Sequence, residues 1–135
     1  MRVAFGTDET TELTELLVRV LSEAGHQVVV SCLDRPWPEV GRSVGEAVAS
    51  GVAERGVVCC WTGTGVSIAA NKVPGVRAAL CTDGETAAGA RRWNDANVLA
   101  LGLRLTSPAV ARELLDAFFS TEPDPGEAAN IAQLP

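Results

Sequence analysis

Five short apolar runs alternate with five amphipathic stretches along this chain, and that alternation is what most restricts its fold. Val3-Ala4-Phe5-Gly6, Val28-Val29-Val30, Gly56 to Cys60, Val76 to Cys81 and Asn97 to Leu101 read as strands, rich in β-branched residues and bounded by turn signals. Between the first two, Thr10 to Ala24 puts Leu13, Leu16, Leu17, Val20 and Leu21 on one helical face before Gly25 ends it. A second helix is expected from about Gly41 to Ala53, where Val44, Val48 and Val52 fall four apart. It should follow a loop from Asp34 to Glu39 in which two prolines flank Trp37. Val66 to Asn71 and Thr86 to Trp93 supply two more helices. Ser107-Pro108 gives an N-cap and a first-turn proline to a last one bearing Val110, Leu114, Leu115 and Phe118.

Regular alternation of this kind implies an α/β fold: a three-layer, Rossmann or flavodoxin-like arrangement with a five-stranded parallel sheet covered on both faces. At 135 residues the chain holds one core and no second domain. The domain should occupy residues 1–121. A tail follows over 122–135, where Glu122-Pro123-Asp124-Pro125-Gly126 breaks helix and Glu127 to Leu134 can form one short closing turn. In such sheets ligands bind beyond the carboxyl ends of the strands. The segments to inspect are therefore Gly6 to Glu9, Cys32 to Trp37, Cys60 to Ser67, Thr82 to Glu85 and Gly102 to Thr106.

Charge and cysteine usage narrow the function. A net charge of -6 and a pI near 4.7, with no basic run, argue against nucleic acid or an anionic membrane as partner. No stretch is long and apolar enough to span a bilayer, and the chain opens directly on a strand pattern, so a cytoplasmic location is the default expectation. Cys32, Cys59, Cys60 and Cys81 lie in or just after apolar runs and are expected as free thiols. An adjacent Cys59-Cys60 pair and a single His do not make a zinc site, and neither metal nor cofactor is expected.

The stretch from Val57 to Lys72 carries the chemistry. A buried strand ends in Cys60 and runs into Thr62-Gly63-Thr64-Gly65, a small-residue turn at the start of a helix. This sets a potential base beside backbone NH groups able to stabilise developing negative charge, an arrangement suited to proton abstraction next to a carbonyl. A thiol of ordinary pKa about 8.5 must be lowered to act this way, which a helix N-terminus does. The plainer alternative is a small buried hydrophobe at Cys60, the usual fate of a free cysteine. Cys59, one step along the strand, faces the opposite side and belongs to the core. Asp8 and Glu9 fit a site at the first strand's end, and equally fit the first turn of a helix, where acidic residues cap.

Two long motifs, Thr62-Gly63-x-Gly65-x-Ser67-Ile68-Ala69-Ala70-Asn71-Lys72 continuing to Arg77-Ala78, and Asn94-Asp95-Ala96-Asn97-Val98-Leu99-Ala100-Leu101-Gly102, resemble the type B ribose-5-phosphate isomerase family. That family includes the two subunits of galactose-6-phosphate isomerase. The resemblance runs from Gly6-Thr7-Asp8 to about Glu122. It implies a flavodoxin-like sheet, a dimer with active sites between subunits, and aldose-ketose isomerisation through an enediolate. By position it makes Cys60 the general base. Thr62 and the NH groups from Trp61 to Val66, including Gly63, Thr64 and Gly65, would hold the enediolate oxygen. Asp8 and Asn94 would hold substrate oxygens, with Glu9, Ser67 and Trp93 lining the pocket; Asn71 and Lys72 are expected to be structural.

Departures from the family pattern are as informative. Glu9 stands where a His is usual, as it also does in one galactose-6-phosphate isomerase subunit. Trp93 stands where the ring-opening His is usual, and Trp61 replaces a loop glycine. The C-terminal pattern whose two arginines clamp phosphate has become Pro125-Gly126-Glu127-Ala128-Ala129-Asn130-Ile131. Losing two charge-assisted donors should weaken phosphate binding about a hundredfold or more. The expected substrate is a non-phosphorylated or atypical sugar-like molecule. The expected assembly is a homodimer, with a paralogous subunit as the alternative that would restore the missing groups. A non-catalytic binding protein on the same fold is the remaining alternative. Arg35, Arg91, Arg92 and Arg104 are the cations that could still reach the distal pocket.

Overall fold

The computed structural model describes all residues, 1–135. Five strands form one parallel sheet: β1 (Arg2–Thr7), β2 (Gln27–Leu33), β3 (Arg55–Cys60), β4 (Ala78–Leu80) and β5 (Val98–Gly102), in the order β2-β1-β3-β5-β4. Six helices accompany them: α1 (Glu12–Glu23), α2 (Trp37–Ala49), α3 (Thr64–Asn71), α4 (Gly84–Asn94), α5 (Pro108–Ser120) and the single turn α6 (Ala128–Ile131), preceded by a 3-10 turn at Pro125–Glu127. Every residue of β3 and β5 is buried, including the cation Arg55 that opens β3, and the remainder of each reads as an unbroken run without polar side chains. At the β2 edge, burial alternates residue by residue, as one covered face requires.

The sheet separates two cores. On one side Leu17 and Leu21 of α1, Ala87 and Ala90 of α4, and Leu114, Leu115 and Phe118 of α5 pack on Val3, Phe5, Val57, Cys59, Leu99 and Leu101. On the other, Val40, Val44 and Val48 of α2 and Val66 and Ala70 of α3 cover Ala4, Val58, Cys60, Val98 and Ala100. Cys59 and Cys60 thus lie on opposite faces, and all four cysteines are free.

Helix boundaries follow local chemistry, with one clear difference from the sequence reading. α2 begins at Trp37 rather than Gly41, with Pro36 at the N-cap and Pro38 in the first turn. Prolines are harmless there because the first-turn NH groups have no helical acceptor. The helix stops at Ala49, before Gly51 at φ +80°, and Val52 is left exposed on the following turn. α3 and α4 each start two residues earlier than their apolar patterns suggest. α4 is capped by Asp83, whose carboxylate accepts from Thr86 N at 2.7 Å. β4 shrinks to three residues because only Ala78 to Leu80 find partners on β5. No helix is long and apolar enough to cross a membrane.

Candidate active site

The crossovers from β1 and β3 leave the sheet in opposite directions, so a crevice opens between the carboxyl ends of these neighbouring strands. Thr7 stands opposite Cys59 in the register, and Asp8 N donates to Cys59 O at 3.3 Å. Asp8 and Cys60 therefore occupy adjoining strand ends, roughly one strand spacing of 4.8 Å apart in the sheet. Thr7 is fully buried and shapes the loop after β1: its Oγ1 donates to Glu9 O at 2.7 Å and accepts from Glu9 N at 3.3 Å. Asp34, at φ +56°, ties the loop after β2 to it by accepting from Thr10 N and Thr10 Oγ1 at 2.7 and 2.8 Å. Partial burial, and next the charge of Glu9, raise the Asp8 carboxyl above its ordinary value.

The turn after Cys60 is clamped to the end of β5. Leu103 N donates to Cys60 O and Arg104 N to Trp61 O, each at 2.9 Å. Gly63 sits at φ +79°, and a Cβ there would lie 2.7 Å from the Leu101 carbonyl carbon, so both conformation and space demand glycine. Gly102 plays the complementary part, with the Thr62 main chain lying directly on it. Gly63 is the N-cap of α3, and the first helical NH to find a backbone acceptor is that of Ser67, which donates to Gly63 O at 3.2 Å. The NH groups of Thr64, Gly65 and Val66 consequently point out of the helix start, unspent. Thr62 Oγ1 and Thr64 Oγ1 are 2.8 Å apart and share one hydrogen bond at its rim.

Cys60, 6% exposed, is the floor of this turn, while Trp61 stands out from it, 59% exposed. Trp37, which the sequence places only in a loop after the second strand, heads α2 and lays its indole on Gly65, where a Cβ would lie 2.9 Å from the ring. A loop containing Pro-Trp-Pro was the only signal for it. One end of one chain thus assembles Asp8, Glu9, Cys60, Trp61, Thr62, Gly63, Thr64, Gly65 and Ser67. Trp93 and Asn94 lie elsewhere. α4 returns antiparallel to the strands, so its last turn reaches the amino end of the sheet, and Asn94 borders a cavity with Asn71, Arg77 and Ala78. Trp93 folds back on Gly89.

Among the candidate cations, Arg91 is committed: it is buried, with Nη1 2.8 Å from Asp95 Oδ1 and 2.6 Å from Ala96 O. Arg35 pairs with Glu39 at 3.1 Å, and Arg92 lies over the Trp93 ring. Arg104 is exposed, makes no ion pair, and is joined by its main chain to the Cys60 turn. Glu127, in the tail, accepts from Asn130 Nδ2 at 2.9 Å; the tail is tied to α4 by Asp124 N donating to Arg92 O at 2.8 Å. Asn71 and Asn97 are structural, each bridging main-chain groups around β4. No cluster of metal-ligating side chains is present.

The Ribose/Galactose Isomerase family profile matches residues 3–134, nearly the whole of this fold. The chain belongs to that family. Two relatives of this isomerase family are a D-erythrulose-4-phosphate isomerase of Pectobacterium atrosepticum and a galactose-6-phosphate isomerase subunit of Clostridium acetobutylicum. The first is 34% identical, over 96% of this chain and 89% of that protein. The second is 35% identical, over 93% and 75%. Among solved structures, the type B ribose 5-phosphate isomerase of Trypanosoma cruzi superimposes with a TM-score of 0.91 at 40% identity, covering 98% of this chain and 95% of that one.

Proposed function

We propose that this member of the ribose/galactose isomerase family interconverts an aldose and a ketose with Cys60 as the proton-transferring base. The observation that carries the reading is the turn at Cys60, where a thiol at a strand end adjoins the unspent NH groups of Thr64, Gly65 and Val66. Cys60 would take the proton from the carbon beside the substrate carbonyl. The C–H electron pair forms the carbon–carbon double bond of an enediolate, and the carbonyl electrons move onto oxygen, toward the NH groups and Thr62. Passage of the adjacent hydroxyl's proton to the former carbonyl oxygen, with return of the carbon-bound proton from Cys60 to the former carbonyl carbon, completes the exchange. Asp8 would hold a substrate hydroxyl. Its pKa is raised, chiefly by burial and next by the charge of Glu9.

The substrate we infer is a sugar-type hydroxycarbonyl compound without a phosphate. Exposed Glu9 stands beside the crevice, and Arg35, after the neighbouring strand β2, is paired with Glu39. Incubation in D2O with a panel of tetroses, pentoses and hexoses, with and without terminal phosphate, followed by NMR, tests both parts. Cys60→Ala should abolish deuterium incorporation beside the carbonyl, and full exchange in that variant would overturn the base assignment. Strong preference for the phosphorylated partner of each pair would overturn the substrate class and point to Arg104 as the phosphate contact.

The placement of Asn94 favours one addition: the working site is shared between two chains. Within a chain, Asn94 and Cys60 lie at opposite ends of the sheet, so they can meet only across an interface. Mixing inactive Cys60→Ala and Asn94→Ala proteins should then restore about a quarter of wild-type activity, since half the randomly formed dimers carry one intact site. No recovery in a mixture shown to exchange subunits refutes sharing between identical chains. Recovery only with a paralogue would mark a mixed oligomer.

A further inference from the structure

At the amino end of the sheet lies an open cavity of about 340 Å³ lined by Glu54, Arg55, Arg77, Arg91, Asp95 and Asn97. Arg55 opens the strand that Cys60 closes, so the two are separated by roughly 17 Å along β3. Arg55 is 7% exposed and Arg91 3%, a degree of burial at which arginine normally has a full complement of partners.

Here the complement is short. Arg55 gives Nη1 to the Phe118 carbonyl and leans on the Phe118 and Phe119 rings, but its Nε and Nη2 make no hydrogen bond. Its nearest carboxylate, Glu122, stands 3.9 Å from Nη2 on a largely exposed side chain. Arg91 spends Nε on Thr121 O at 3.2 Å and Nη1 on Asp95 and Ala96, leaving Nη2 free. Arg77 uses Nε and Nη2 on Asp95, so one carboxylate serves two guanidinium groups. Glu54 is shared outward with Arg2, accepting from its main-chain N at 2.8 Å. No unpaired side-chain nitrogen is sealed from solvent, and Arg55 and Arg91 both line this polar cavity. Burial and then the charge of Arg91 push the Arg55 pKa down, as expected for a cation with too little compensation.

We propose that this cavity is a second binding site, specific for a phosphate-type oxyanion, held between Arg55 and Arg91 at the opposite end of β3 from the Cys60 of the same chain. Guanidinium groups present paired N–H donors that match a tetrahedral oxyanion. Bound there, the anion would join the start of β3, the end of α4 and the segment after α5. It stabilises the fold by mass action.

Thermal unfolding of the full chain with increasing inorganic phosphate, at ionic strength held constant with sodium chloride, tests the proposal. A parallel series with glycerol phosphate distinguishes the free ion from a phosphoryl group on an organic molecule, and saturable stabilisation in either series supports the site. Glu122→Gln, which removes a competing carboxylate from an exposed position, should tighten the dissociation constant about threefold. Arg55→Met should weaken it about tenfold or more. Should Arg55→Met fail to fold, the Glu122→Gln result decides. Arg104→Ala, beside the Cys60 turn, should leave the constant unchanged. Stabilisation that follows ionic strength alone, is indifferent to Glu122→Gln, or disappears in Arg104→Ala overturns the proposal.

Discussion

Replacing Gly102 by alanine would put a Cβ 2.7 Å from the Thr62 carbonyl oxygen, 2.8 Å from its carbon and 3.2 Å from its Cα. All three are backbone atoms, so no side chain can swing aside, and restoring ordinary contact requires the Thr62-Gly63 turn to retreat by about 0.7 Å. Gly102 is not at positive φ, so the perturbation is purely steric. Overpacking of this kind costs about 1 to 3 kcal/mol of stability. The displaced segment is the one that aims NH groups at the proposed enediolate oxygen, and misplacement approaching 1 Å costs on the order of 100-fold in rate. Gly102→Ala is therefore expected to lower kcat by one to two orders of magnitude while KM changes little. Proton-exchange rates and urea unfolding, measured side by side, give both numbers. Gly84→Ala is the control: its new Cβ would find nothing nearer than 3.5 Å, and activity should be unchanged. A Gly102→Ala protein with wild-type kcat would refute the role assigned to this turn.

Other expectations follow from named groups. Asp8 has a raised pKa, so its ionised form is costly in the fold, and stability linked to it is fully present below the ordinary value of 3.8 and is lost as pH rises through the folded value. Asp8→Asn should accordingly be more stable than wild type at neutral pH. That advantage should vanish below about pH 3 in urea titrations, and activity should fall at every pH. Asp95→Ala should cost about 3 to 5 kcal/mol by calorimetry, because it leaves buried Arg91 and half-buried Arg77 without their shared carboxylate. Burial, with Asp83 adding to it, pushes the Cys81 thiol up to about 11, and burial raises Cys59 as well. Alkylation of the native protein near neutrality, read by peptide mass mapping, should label Cys32 and Cys60 before either; equal labelling of Cys59 would contradict its place on the closed face.

The strands and helices were readable because their signals are local. Alternation of burial along β2 and unbroken burial of β3 and β5 follow from which faces are covered, and α5 announces itself through Ser107 and Pro108. The misplaced start of α2 has an equally local cause, since proline suggests a loop although it fits a first turn just as well. At the candidate site, the turn after Cys60 at the end of a buried strand was legible from residue type and spacing. Trp37 was not assigned a part, because its contact with Gly65 joins segments far apart in sequence and leaves no periodic trace in either. The arginines had no legible roles: all are alike in sequence, and only packing shows that Arg91 is committed to Asp95 while Arg104 is free.

From sequence alone came the alternating element types, the parallel α/β class and the free thiols, together with the segment after Cys60 on which the proposed proton transfer rests. Each depends on residues within a turn or two of one another, where periodicity and stereochemistry act directly. Only the tertiary structure decided that β1 and β3 are neighbours, which sets Asp8 beside Cys60, and that α4 carries Asn94 to the far end of the sheet. It alone gathered Arg55, Arg77 and Arg91 around one cavity. Strand order and helix docking are settled by burial summed over the whole core, and no short stretch of the chain contains that sum.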